Sequence, residues 1–139
     1  MIVVTGASGR LGRLVVEHLL RRGVPAAEVV AAVRAPERAA DLAARGVVVR
    51  EADYDRPETL APAFDGADRL LFVSSSGPDD LRLVQHRAVV DAARAARVGL
   101  VAYTSIVRAD TNPLRLARVH RATEEALTAS SSALIPKKA

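Results

Sequence analysis

Ile2-Val3-Val4-Thr5-Gly6-Ala7-Ser8-Gly9-Arg10-Leu11-Gly12-Arg13-Leu14-Val15-Val16 is the stretch from which the rest of the chain can be ordered. Ile2 to Thr5 are apolar or β-branched with no polar break, the pattern of a strand buried on both faces of a parallel sheet. From Leu11 to Arg22 the period changes. Leu11, Leu14, Val15 and Leu19 recur at helical spacing opposite Arg10, Arg13, Glu17, Arg21 and Arg22, and Gly23 stops the helix. Gly6, Gly9 and Gly12 punctuate the passage from strand to helix. At this spacing the first glycine makes the bend, the second lets the backbone approach a pyrophosphate, and the third lets the helix lie close on the strand. The N–H groups of Arg10, Leu11 and Gly12, with Ser8 beside them, would then face the phosphates. The other reading is a tight turn that needs its glycines only for its own geometry.

The rest of the 139-residue chain repeats the alternation. Val29 to Val33, Val47 to Ala52, Arg69 to Val73 and Leu100 to Thr104 read as strands. Pro36 to Arg45, Pro57 to Phe64, Leu81 to Arg97 and Leu114 to Ala129 read as helices, with Leu81, Val84, Ala88, Ala92 and Ala95 as the inward face of the third of these. The expectation is one doubly wound α/β domain over residues 1–129, its five parallel strands in the order 3-2-1-4-5, with the ligand at the carboxyl edge. Ser130 to Ala139 shows no periodicity and is expected to be an irregular tail. Half of the residues are hydrophobic, yet only Tyr54, Phe64, Phe72 and Tyr103 are aromatic, so the core has to be built from Val, Leu and Ala. With no cysteine there is no disulfide, thiolate metal site or cysteine nucleophile, and no metal is expected. The net charge of +4 comes from arginines interspersed with Asp and Glu, without the interleaved aromatics of a nucleic-acid surface. Neither nucleic acid nor membrane is expected as a partner, and the location expected is cytoplasmic.

The strand ends supply the candidate site. Arg34 closes the second strand where an acidic residue would accept from a ribose 2′-OH and an arginine would instead pair with a 2′-phosphate, so NADP is favoured over NAD; a solvated strand-end arginine is the alternative. Asp53 is assigned to an adenine amino group with Tyr54 covering the ring, and Asp55 to capping the helix that begins at Pro57. Ser74 and Ser75, in the stretch Ser74-Ser75-Ser76-Gly77-Pro78, either line the nicotinamide side of a cofactor or form an ordinary polar loop. The fifth strand brings Tyr103 and Ser105 to the same edge.

Thr5 to Gly12, Val33-Arg34, Glu51 to Asp55, Ser74 to Ser76, Tyr103-Thr104-Ser105 and His120 to Glu124 together resemble the NmrA-like branch of the atypical short-chain dehydrogenase/reductases, especially the NADPH:quinone oxidoreductase type. The resemblance spans residues 1–129. It implies a Rossmann-like fold, NADPH held by the glycine turn and Arg34, and reduction of a quinone or related carbonyl with Ser105 and His120 orienting the acceptor oxygen. His120 could equally be a surface histidine on an amphipathic helix. Ordinary members of the superfamily use a Tyr-x-x-x-Lys helix, and with His120 at the lysine position the tyrosine position holds Leu116. The family also continues into a substrate-binding part where this sequence has Ser130 to Ala139. A non-catalytic dinucleotide-binding or redox-sensing module is therefore the rival expectation, and under either reading a homo-oligomer is an open alternative to a monomer.

Overall fold

The computed structural model describes residues 1–130 and 133–134. Its strands are β1 (Ile2–Thr5), β2 (Val29–Val33), β3 (Val48–Glu51), β4 (Arg69–Phe72), β5 (Leu100–Tyr103) and β6 (Ala133–Leu134). The helices are α1 (Arg10–Arg21), α2 (Ala40–Ala44), α3 (Leu60–Phe64), α4 (Asp79–Ala95) and α5 (Ala117–Ala129). The strands pair in parallel in the order β3-β2-β1-β4-β5-β6, which contains the expected 3-2-1-4-5 arrangement. Within the stretch expected to be irregular, Ala133 and Leu134 extend the sheet beside Leu100 and Val101, so the edge of β5 is partly covered; the rest of that expectation falls on residues outside those described.

Period-two alternation divides the core between the two faces of the sheet. Val3, Val30, Ala32, Leu70, Phe72, Val101 and Tyr103 face α3, α4 and α5, whereas Val4, Val29, Ala31 and Val33 face α1 and α2. The sequence of strands moves left from β1 to β3 and then crosses to β4, and this reversal opens the crevice between β1 and β4 at the carboxyl edge.

Two helices differ from the hydropathy reading. In α1 Gly12 and Val16 are buried against the sheet and the expected Val15 and Leu19 pack half-buried beside them, while Leu11 and Leu14 lie outside, Leu14 being 57% exposed. In α4 the buried face is Arg82, Gln85, His86, Val89, Val90, Ala92 and Ala93, and the expected stripe is turned outward at Leu81 and Val84. Polar side chains occupy the inner face there because neighbouring loops supply their partners: Gln85 Nε2 donates to Asp55 Oδ1 (2.7 Å), and His86 meets Ser75 and Thr123. Asp55 is thus bound to α4 and does not cap the helical turn Pro57–Thr59 that leads into α3, whose N-cap position is Arg56 and has no side-chain cap. Thr59 performs the tying instead, accepting from the Asp53 N–H at 2.8 Å and donating to Arg56 O at 2.8 Å.

A methyl group at Gly12 would stand 2.7 Å from the Gly6 carbonyl carbon and 2.9 Å from Ala7 Cα, both backbone atoms that cannot swing aside. Gly12→Ala should therefore cost roughly 1–3 kcal/mol of stability, as overpacking in a core does. Gly9→Ala meets only Gly6 O, at 3.2 Å, and should cost less than half as much; urea unfolding of both variants checks the difference.

Candidate functional site

The crevice is built on a latch. The Thr5 hydroxyl donates to Leu71 O at 3.2 Å and accepts the Val73 N–H at 2.9 Å, which fastens the end of β1 to the end of β4. The Tyr54 hydroxyl closes over the same point, 2.6 Å from Thr5 Oγ1 and 2.7 Å from Val73 O, with its ring edge-on to Phe72. Burial pushes this phenol well above its ordinary pKa, so it stays neutral and hydrogen-bonded. Tyr54 was expected to cover an adenine; its hydroxyl is committed to this latch.

Immediately after the latch Gly6 takes φ +59°, a left-handed angle that favours glycine, and its carbonyl accepts the Gly9 N–H at 2.9 Å. Gly9 is the N-cap of α1 and has no side-chain cap, and the first turn contains no acidic residue. The N–H groups of Arg10, Leu11 and Gly12 consequently meet no acceptor among the described residues. An uncapped helix start with its partial positive charge exposed is suited to an anion. Ser8, Gly9 and Arg10 beside it are exposed.

Arg34 stands at the end of β2, next to this turn through the pairing of β1 with β2. It is exposed and has neither hydrogen bond nor ion pair among the described residues. Two nearby arginines are occupied, Arg13 gripping Asp41 at 2.6 Å and Arg45 gripping Glu17 at 2.6 Å, both between α1 and α2, while the side chains of Arg10 and Arg38, like that of Arg34, have no partner among the described residues. Asp53 is half-buried, its Oδ1 accepting the Asp55 N–H at 2.9 Å in a local turn. These groups lie with the glycine turn along the carboxyl edge of the sheet.

On the β4–β5 side the structure corrects several expectations. Tyr103 is buried between the sheet and the helices, and its hydroxyl lies 2.7 Å from His120 Nδ1, so it is not an exposed cofactor contact. Burial raises its pKa to about 12. His120 is 6% exposed, which overturns the surface-histidine reading and places it inside, under Tyr103. Ser105 is half-buried, and its hydroxyl donates to Glu124 of α5. Ser74 and Ser75 are half-buried and tied down: Ser74 N donates to Thr104 Oγ1 at 2.8 Å and Ser75 N to His86 Nε2 at 3.0 Å. His86 is the residue that sequence reasoning missed. It is 1% exposed, and burial, assisted by the Arg82 and His120 charges, lowers its pKa to about 4. Arg82, also buried, leaves its Nε without a partner among the described residues. Nothing in periodicity marks a histidine on a helix as interior, because the hydroxyls that satisfy it come from distant segments.

Among the described residues no His, Asp and Glu gather into a metal-binding group, and no helix is long and apolar enough to cross a membrane. A glycine turn opening into a bare helix start, at the switch point of a doubly wound parallel sheet, defines a dinucleotide-binding domain. Comparison with known proteins agrees: residues 6–134 match the family described as NAD(P)H-binding, and the chain belongs to that family. It is 48% identical over 130 residues to quinone oxidoreductase 2 of Escherichia coli, covering 94% of this chain and 45% of that protein. It is 36% identical over 134 residues to an NmrA-like family domain-containing oxidoreductase of Aspergillus flavus, covering 92% and 43%. Among solved structures, the triphenylmethane reductase of Citrobacter sp. complexed with NADP(H) superposes with a TM-score of 0.93 at 46% identity, over 96% of this chain and 47% of that one. The chain thus spans less than half the length of these relatives.

The low pKa of His86 has a stability consequence of definite sign. The unfolded histidine takes up its proton near pH 6.5, the folded one only near 4, so stability is full above 6.5 and falls as pH drops between these values. The loss should reach roughly 2–3 kcal/mol by about pH 4.5. Urea unfolding at the two ends of this window measures it, and in His86→Gln the histidine's share of the drop should vanish.

Proposed function

We propose that the chain binds NADPH at the carboxyl edge and belongs to an oxidoreductase that reduces a quinone or related carbonyl. The observation that carries the cofactor half of this reading is Arg34, an exposed guanidinium with no carboxylate partner among the described residues, beside an anion-ready helix start. The residues fit the cofactor. Gly6, Ser8, Gly9, Arg10, Leu11 and Gly12 would hold the pyrophosphate on the α1 N-terminus. Arg34 would pair with the 2′-phosphate in a charge-assisted bond. Asp53 would accept from the adenine amino group, and Ser74 and Ser75 would line the nicotinamide-ribose side. When bound, the nicotinamide supplies a hydride.

The chain's own groups would do the rest. Gly9 keeps the phosphate approach open: its ideal Cβ direction meets nothing but Gly6 O within 4 Å. Ser105, with Glu124 as hydrogen-bond partner, would orient an acceptor oxygen at the edge. His120 would act through Tyr103, which holds its Nδ1 and so sets the orientation of the ring. With Leu116 at the place of a tyrosine proton donor, the reading requires an acceptor whose reduced form is a delocalised anion that solvent protonates, as a quinone gives.

A second reading, a non-catalytic NADP-binding module, is favoured by one feature. The sheet face on the α1 side carries half-buried Leu71, Leu100 and Ala102, and the described residues build no second wall around the carboxyl edge that would enclose an acceptor. Without such a wall the proximity term, worth roughly 7–11 kcal/mol in well-oriented reactions, is largely lost. The 139-residue chain alone should therefore bind NADPH and turn quinone over slowly or not at all. Steady-state NADPH oxidation with a quinone, beside a chain extended with a relative's C-terminal half, decides this; equal rates from both would contradict the placement of the acceptor site.

NADPH should bind roughly 10- to 150-fold tighter than NADH, the equivalent of about 1.5–3 kcal/mol for a hydrogen bond to a charged group. Arg34→Glu should reverse the order. Calorimetric titration of both cofactors tests it, and equal affinities in the wild type would refute the role of Arg34.

Gly9→Val should remove NADPH binding while leaving the circular dichroism spectrum in place, since Gly9 has φ −84° and any residue can adopt that angle. Retention of wild-type affinity would make the glycine turn purely structural.

A further inference from the structure

We propose that His86 is a positioning residue for the cofactor: it holds the segment between β4 and α4, residues 74–78, in the shape that receives the nicotinamide-ribose end of NADPH. The inference rests on the reading of the site as an NADPH site.

The observation behind it is the fate of three consecutive backbone N–H groups. As the chain leaves β4, the amide of Val73 donates to Thr5 Oγ1 at 2.9 Å, that of Ser74 to Thr104 Oγ1 at 2.8 Å, and that of Ser75 to His86 Nε2 at 3.0 Å. Each acceptor is a side chain from a different place, the end of β1, the end of β5 and the second turn of α4. Past the end of a strand the sheet ladder offers no partners, and a segment left to water there would sample many conformations. Here it is pinned at three successive residues beside the cofactor crevice. Thr5 and Thr104 pin it from the neighbouring strands, and His86 pins it from the helix that the segment leads into.

The histidine is committed to that task by its partners. A backbone N–H can only donate, so Nε2 must be unprotonated, and the Ser75 hydroxyl, also 3.0 Å away, adds to the demand for an acceptor. Thr123 Oγ1 donates to Val119 O at 2.8 Å and therefore accepts from Nδ1–H, at 2.8 Å. Partners on both sides thus select one neutral tautomer. The ring is clamped by Phe72 of β4 at 4.9 Å and Tyr103 of β5 at 5.8 Å between centroids. The titratable and charged groups around it are Arg82 of α4, Tyr103 of β5 and His120 of α5. None of them is an acid that would stabilise a second proton on the ring. Through Thr123 the same ring also connects the segment to α5, which carries Ser105's partner Glu124.

The test compares two ligands. Adenosine 2′,5′-bisphosphate carries the adenosine half of NADPH and lacks the half that would reach residues 74–78. By calorimetry, His86→Leu should weaken NADPH about 10-fold and leave the bisphosphate within about twofold, while His86→Gln, which restores an acceptor, should recover most of the loss. The Ser75 amide should exchange with solvent at least about 10-fold faster in His86→Leu than in wild type, and slowly again in His86→Gln. If His86→Leu does not fold, His86→Phe, which keeps a ring against Phe72 but has no acceptor, takes its place with the same expectations. Unchanged NADPH affinity in a folded variant lacking the acceptor, or equal weakening of both ligands, would overturn the proposal while leaving the cofactor site intact. A wild-type chain that binds neither ligand would overturn the site itself.

Discussion

The approach of α1 to the Gly6 turn is the constraint on which the rest of the site depends. Gly12 sits so close to Gly6 and Ala7 that no side chain can stand between helix and turn. That closeness brings the first turn of α1 directly over the end of β1, where its unpaired N–H groups face the crevice. The sheet has to present that end rigidly, and the Thr5 latch provides for it by joining β1, β4 and the Tyr54 segment through one hydroxyl. An interior network of this kind is strong because every member is satisfied.

Electrostatics then divide the surface into occupied and available cations. Arg13 and Arg45 bind α1 to α2 through exposed ion pairs, which add little to stability but neutralise that flank. Arg34 has no such partner and stands beside a helix start that lacks an acid. By contrast α4 begins with Asp79 and Asp80, so its N-terminus is already compensated. The positive field at the carboxyl edge is therefore concentrated at α1 and Arg34.

Much of this was legible in the chain. β1, β2 and β5 are runs of apolar and β-branched residues, β3 and β4 carry Val48-Val49 and Leu70-Leu71-Phe72 next to charged residues, and the spacing of Gly6, Gly9 and Gly12 between strand and helix dictates the turn. Arg34 could be placed because a strand end needs no tertiary information. What escaped depends on partners far apart in sequence. The inner face of α4 carries Arg82, Gln85 and His86 because Asp55, Ser75 and Thr123 satisfy two of them, and hydropathy assigns that face to solvent. Tyr54 and Tyr103 were read as cofactor contacts, and His120 as either an acceptor contact or a surface residue, for the same reason. Their polar atoms find acceptors or donors inside, which residue type alone does not reveal. Ala133–Leu134 was missed because a two-residue strand has no period.

The site is defined by where the cofactor touches the chain. Titrating an isotopically labelled sample with NADPH and following backbone amide resonances measures this directly. The shifts should concentrate at residues 6–12, at Arg34 and at residues 74–76, and the outer face of α4 around Val84 and Arg87 should stay unperturbed. Shifts confined to α4, or spread evenly over the surface without the glycine turn, would contradict it.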